Sequence, residues 1–175
     1  LTLAFEILAH GETHTNAEVR SALVLELAQA SGMSGMAGGQ MLDIEAEAGA
    51  AQTLDSIIRI QSHKTGALFR FACESGAIMA GTDRAPLRRY ADDIGLAFQI
   101  TDDLLDLEST PQALGKATQK DSSKGKATIA SLMGRDAAQA KAQELAASAI
   151  AALAPYGSAA DTLRATARFI ISRKK

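Results

Sequence analysis

The sequence predicts an all-α fold, and three observations carry that expectation. Alanine and leucine abound, while aromatic residues make up only 4% of the 175 residues and tryptophan is absent; this composition favours helices over pleated sheets. Proline occurs only three times, leaving room for long uninterrupted helices. Apolar residues recur at helical rather than alternating spacing along most of the chain. A chain of this length is expected to fold as one domain around its own core.

The elements follow in order. Leu1 to Leu8 already carries an apolar helical pattern with neither an initiator methionine nor a cap before it, so the chain is expected to start within a helix. This first helix reaches to about residue 10. Reading periodicity with Gly, Pro, Ser and Asn as punctuation predicts further helices near 17–31, 35–49, 53–81, 84–109, 129–133, 135–154 and 159–172. The third opens with Gly35 to Gly39. The fourth is expected to be interrupted around Ser62 to Gly66, where His, Lys, Thr and Gly follow one another. Thr110 to Lys126 is the long irregular stretch, holding Pro111, Gly115, Gly125 and four lysines, and ligand contacts are expected there. The alanine-rich tract from Asp136 to Ala154 reads as a supporting helix.

Charge and cysteine content exclude several function classes. A net charge of −2 and a pI near 5.9 lack the basic footprint that nucleic acid or an anionic membrane requires. Cys73 is the only cysteine, which rules out an internal disulfide and fits a small core residue in a cytoplasmic protein. Neither a basic-apolar leader nor a run of about 18 apolar residues is present, so a soluble chain without a signal peptide or membrane span is expected.

The most specific chemical feature is Phe98-Gln99-Ile-Thr-Asp102-Asp103-Leu-Leu-Asp106. At about 100° per residue, Gly95, Gln99, Asp102 and Asp106 fall within an arc of roughly 60°, with Asp103 beside it. Ile94, Leu96, Phe98, Ile100, Leu104, Leu105 and Leu107 occupy much of the remainder, so this helix is expected to be mostly buried. The stripe is acidic only, and clustered carboxylates repel unless a cation sits among them. Oxygen ligands on a rigid element suit Mg²⁺, which takes one or two carboxylates and completes its shell with water and substrate phosphate. A solvated acidic face near a helix end has the same spacing. Downstream come Gly115, Lys116, Lys120, Lys124, Gly125 and Lys126. Lysines bind phosphate as point charges and glycines let the backbone approach an anion, so a diphosphate held between Mg²⁺ and ammonium groups fits the pair of features better than either alone.

Four blocks resemble, in order and spacing, the trans-isoprenyl diphosphate synthases of the bacterial farnesyl diphosphate synthase type. They are Gly38-Gly39-Gln40-Met-Leu-Asp43, Lys64-Thr65-Gly66, the aspartate block Phe98 to Asp106, and the lysine loop ending Gly125-Lys126-Ala-Thr128. The resemblance runs from Leu1 to about Gly134. It implies an all-α helical bundle of the isoprenoid synthase type around a central cavity, with residues 1–175 forming the C-terminal part of a single domain whose N-terminal helices are missing. It further implies Mg²⁺-dependent, head-to-tail condensation of isopentenyl diphosphate with an allylic diphosphate (dimethylallyl or geranyl), farnesyl diphosphate as product, and a homodimer. This part alone is then expected to be inactive.

Site roles follow from the same resemblance. Asp102 and Asp106 match metal and diphosphate residues, with Asp103 supporting them. Lys64 and Lys116 match lysines that hold the allylic diphosphate, Lys126 matches a further diphosphate lysine, and Thr65 and Gln99 match residues lining the reacting centre. Asp43 and Glu47 share the face of Gln40, which an ordinary polar face explains equally well. His10, His14 and His63 lack a metal-binding spacing and read as surface or linker residues. Gln61 stands where the family often has His, Gln119 where Gly is common, and Ile129-Ala130 in place of an aromatic-Pro pair. The family's first aspartate-rich motif is absent, and Asp92-Asp93 does not replace it. A terpene cyclase and a noncatalytic subunit of a heteromeric prenyltransferase are the rival readings; the lysine loop argues against the first and the intact carboxylates and lysines against the second.

Overall fold

The computed structural model describes residues 1–49, 52–108 and 127–173, and every regular element among them is helical. The α-helices are α1 (Thr2–Ala9), α2 (Ala17–Ser31), α3 (Met36–Glu47), α4 (Leu54–Gln61), α5 (Ala67–Ala80), α6 (Ala85–Glu108), α7 (Ile129–Met133), α8 (Arg135–Ala152) and α9 (Asp161–Ser172). A π-helical turn, Ser62–Gly66, joins α4 to α5, and a 3₁₀ segment, Ala154–Ala160, joins α8 to α9. The expected interruption of the fourth helix is therefore a local widening, and the chain continues through it without a break.

Side-chain caps explain several boundaries. Asn16 accepts the Glu18 N–H at 2.8 Å and opens α2. Thr53 and Ser56 exchange hydrogen bonds at the start of α4, and Thr128 and Ser131 do the same at the start of α7, each satisfying two otherwise orphaned backbone donors. Thr128 of the Gly-Lys-x-Thr block thus begins a helix. At the end of α5, Gly81 adopts φ 62°, a left-handed cap that suits glycine.

The core is built around α6. Leu87, Tyr90, Ala91, Ile94, Ala97 and Ile100 are buried along one side of it, and α8 lies against this side with Ala138, Ala142, Leu145, Ala146 and Ala149 inward. Alanines at i, i+4 spacing bring the two axes close, because little side chain stands between them. The tract expected to be a mere support is the main cover of the central helix. Ile129 and Ala130 of α7 and Ala167 and Ile170 of α9 close the rest. Tyr90 donates its hydroxyl to the Leu163 carbonyl at 2.9 Å, fixing α9 on α6.

The expectation that α6 is mostly buried holds for its middle, Tyr90 to Thr101, where only Asp92 is exposed; Ala85, Arg88 and Arg89 near its start are exposed. Leu104 and Leu105 are half-buried, and Asp106 and Leu107 are exposed, because α8 and α9 cover the Leu87–Thr101 stretch. On the other side of α6, buried Glu74 of α5 accepts a bidentate pair from Arg88 at 2.7 and 2.9 Å, while Arg84 reaches Glu26 of α2 at 2.7 Å. Among the described residues, no helix is long and apolar enough to cross a membrane.

Candidate active site

The site starts from a backbone contact between α3 and the π-helical turn. A Cβ on Gly39 would stand 2.2 Å from the Lys64 nitrogen and 2.7 Å from its Cα, so glycine is the residue that permits this approach. Four residues on from Gly39, Asp43 is buried, with 5% of its side chain exposed, and accepts the Lys64 ammonium at 2.7 Å. The ammonium offsets the cost of burying the Asp43 carboxylate, which without a cation beside it would be strongly disfavoured. Lys64 thus stands at a fixed place, one third exposed.

The same turn meets α6. A Cβ on Gly95 would lie 3.8 Å from Gly66 Cα and 3.7 Å from Phe69, so the stripe of Gly95, Gln99, Asp102 and Asp106 begins where the turn packs. Gln99 is half-buried one turn further on. Asp102 lies about 10 Å along the axis from Gly95. Phe69 and Phe98 pack with ring centroids 5.5 Å apart beneath the junction.

The three aspartates divide between two roles. Asp103 accepts the Ala130 N–H at 3.4 Å and so anchors the start of α7. Burial pushes its carboxyl up; the Ala130 and Ile129 backbone N–H groups oppose this, and the Asp102 and Asp106 charges add to it. Asp102 accepts Nη2 of Arg173. That guanidinium also sits 4.2 Å above the Phe98 ring centroid, where the ring's quadrupole attracts it. Asp102 and Asp106 are one turn apart, and Asp106 is exposed. Among the described residues, no three His, Cys, Asp or Glu side chains form a metal cage. Mg²⁺ needs only one or two carboxylates, and Asp102 and Asp106, one turn apart, have the oxygen chemistry for it, with the Arg173 guanidinium now at the Asp102 oxygen.

Lys64, Thr65, Gln99, Asp102, Asp103 and Asp106 all lie on the turn or the helix it packs against. Lys116 and Lys126 lie outside the described residues. The sequence places Asp43 in the Gly-Gly-Gln block and allows it to be part of an ordinary polar face, whereas it is buried on Lys64; Arg173 is passed over altogether. Two adjacent glycines inside a helical pattern signal a close backbone approach and could have directed attention to Asp43; nothing local to Arg173 marks it, since Asp102 is 71 residues away. Nδ1 of His10 and of His14 accepts a nearby backbone N–H, and that of His63 sits 2.9 Å from the Arg59 carbonyl.

Comparison with known proteins gives this geometry a family. The chain is 42% identical to a farnesyl diphosphate synthase of Escherichia coli strain K12, over 99% of its own length and 60% of that protein's. An apo structure of an FPP/GFPP synthase from Zymomonas mobilis superposes with TM-score 0.85 at 47% identity, covering 97% of this chain and 57% of the other. A geranyltransferase from Helicobacter pylori, complexed with magnesium and isoprenyl diphosphate, superposes with TM-score 0.72 at 25% identity, over 97% and 56%. The chain spans about six-tenths of the length of the E. coli protein. The polyprenyl synthetase family model matches residues 1–157, and with the shared all-helical fold this shows that the chain belongs to the polyprenyl synthetase family.

Proposed function

We propose that residues 1–175 are the C-terminal part of a single isoprenoid synthase domain whose complete enzyme condenses isopentenyl diphosphate with dimethylallyl or geranyl diphosphate, yielding farnesyl diphosphate. The observation that carries this reading is the packing of the Lys64 turn onto α6 at Gly95, on the face that carries Gln99, Asp102 and Asp106 further along, which puts a fixed ammonium group and a row of metal-suited oxygens on adjoining elements. A diphosphate has the charge to bridge them.

In this reading Lys64, held by Asp43, takes anionic oxygens of the allylic diphosphate as the carbon–oxygen bond breaks. Lys116 and Lys126 are proposed as further diphosphate contacts. Thr65 and Gln99 turn their dipoles toward the allylic cation while the alkene of isopentenyl diphosphate attacks it and a proton is then lost. The apolar helix faces around the site keep out water, which would quench the cation. Asp102 and Asp106 would hold Mg²⁺, with Asp103 securing the helix behind them; when bound, the metal supplies charge stabilisation to the departing diphosphate. Binding of the metal and diphosphate requires Arg173 to share or leave Asp102.

The enzyme is further proposed to be a cytoplasmic homodimer. Leu1, Leu3 and Ile7 at and within α1 and Leu25 of α2 are each more than half exposed, an apolar surface that a second copy or the rest of the protein would cover. The test is to express the full-length protein and measure condensation of labelled isopentenyl diphosphate with dimethylallyl and geranyl diphosphates, with and without Mg²⁺. A folded wild-type protein that forms no prenyl product with either partner overturns the reading.

A further inference from the structure

The side chain of Arg70 ties the π-helical turn that presents Lys64 and Thr65 to α6. Arg70, on the first turn of α5, donates from Nη2 to the Ser62 carbonyl at 2.9 Å and from Nη1 to Asp92 of α6 at 2.9 Å. A carbonyl at the start of the turn, a planar guanidinium and a carboxylate on the aspartate-bearing helix form one continuous bridge. A guanidinium suits this place because its donors form a rigid fork, so the two acceptors it joins are held at a set separation.

Two further features make that bridge matter. A π-helical turn is intrinsically less favourable than α-helix and persists where the surroundings hold it. Between the turn and α6 there is also a cavity of about 240 Å³, lined by Ile58, Gln61, Ser62, Arg70, Gly95 and Leu96. The turn touches α6 directly where Gly66 meets Gly95, but at its Ser62 end the cavity leaves the spacing unset by packed side chains. On the opposite side the turn is backed by Gly39; on the α6 side it is backed by Gly95 at its Gly66 end and by Arg70 at its Ser62 end.

From this arrangement we infer that Arg70 is a positioning residue: its bridge from Ser62 to Asp92 sets where Lys64 and Thr65 stand relative to the carboxylate stripe. The inference rests on the proposed reading in that Lys64 and Thr65 serve the allylic diphosphate, and it has a readout that does not. In the full-length protein, Arg70→Met removes both bonds, Asp92→Asn removes the ion pair but leaves Arg70 able to bond Ser62, and Arg70→Lys keeps the charge on a single donor nitrogen without the rigid fork that spans both acceptors. Hydrogen exchange of the backbone amides of residues 63–68 is expected to quicken roughly tenfold in Arg70→Met, least in Asp92→Asn, with Arg70→Lys between them. KM for the allylic diphosphate is expected to rise about tenfold in Arg70→Met while KM for isopentenyl diphosphate stays unchanged. Unchanged exchange in the turn overturns the bridge, whether or not the protein makes prenyl products. Faster exchange with equal changes in both KM values overturns the positioning role. If Arg70→Met does not fold, Arg70→Lys and Asp92→Asn carry the same comparison. A wild-type protein without prenyl transfer removes the functional reading, and the exchange data still decide the bridge.

Discussion

Replacing Gly39 with alanine puts a methyl group where α3 and the π-helical turn already touch. The new Cβ would lie 2.2 Å from the Lys64 nitrogen, 2.7 Å from Lys64 Cα and 2.8 Å from the His63 carbonyl carbon. All three are backbone atoms, so no side chain can swing aside. Restoring an ordinary contact of about 3.5 Å requires α3 and the turn to part by on the order of 1 Å. Overpacking of this kind costs about 1–3 kcal/mol, against a gain of roughly 1 kcal/mol from alanine's better helix propensity. The upper part of that range is expected here, leaving a net loss of about 1–2 kcal/mol. The same displacement pulls on the 2.7 Å Asp43–Lys64 pair, so kcat/KM for the allylic diphosphate should fall by about 100-fold. Urea denaturation of the full-length protein measures the first quantity and steady-state kinetics the second. Gly76→Ala is the control: it is a mid-helix glycine whose Cβ would meet nothing within 4 Å, and it should stabilise by up to about 1 kcal/mol. If Gly39→Ala is as stabilising as Gly76→Ala and leaves kinetics intact, the close approach does not hold the site.

Three other outcomes are expected. Asp102→Ala in the full-length enzyme should lower turnover by at least about 100-fold and weaken its Mg²⁺ dependence while leaving the melting temperature near the wild-type value; near-normal kinetics would remove Asp102 from the site. Titration of allylic diphosphate should show Lys116→Ala weakening affinity more than Lys124→Ala does, and equal, small effects would return that loop to an ordinary solvated segment. Burial, reinforced by the neighbouring Glu74 charge, pushes the Cys73 thiol up from 9.0 to about 11. Its alkylation at pH 8 should therefore run roughly 100-fold slower than that of a small-molecule thiol with an ordinary pKa. Because the folded state disfavours the thiolate, stability should decline as pH rises from about 9 toward 11; rapid labelling at pH 8 in the folded protein would contradict the burial.

Much of the fold was legible locally. Periodicity and punctuation located the helices to within a few residues, since an amphipathic helix writes its face into i, i+3 and i+4 positions and its ends into caps such as Asn16 and Thr53. The irregularity at Ser62–Gly66 was visible as a run of residues that interrupts the apolar pattern, although not its form: whether such a run makes a loop or a π-helical turn depends on what packs around it, here Gly39 on one side and Gly95 and Arg70 on the other. The alanine tract was legible as helix but not as the cover of α6, because alanine carries almost no directional pattern and its burial is set by how close a partner helix comes.

For the site, helix periodicity suffices to put Gly95, Gln99, Asp102 and Asp106 on one face, since the geometry of a single helix binds them together. Which charge meets which depends instead on how the helices pack. Asp43 and Lys64 are 21 residues apart, Arg70 and Asp92 22, and Asp102 and Arg173 71. Only the packing of α3 on the turn, of the turn on α6 and of α9 behind it brings those groups within hydrogen-bonding distance. The distinction between Asp102, which holds a cation, and Asp103, which anchors α7, likewise arises there. The two are neighbours in the chain with the same carboxylate, and they differ because successive helix positions point about 100° apart, one toward Arg173 and the other toward the backbone of Ala130.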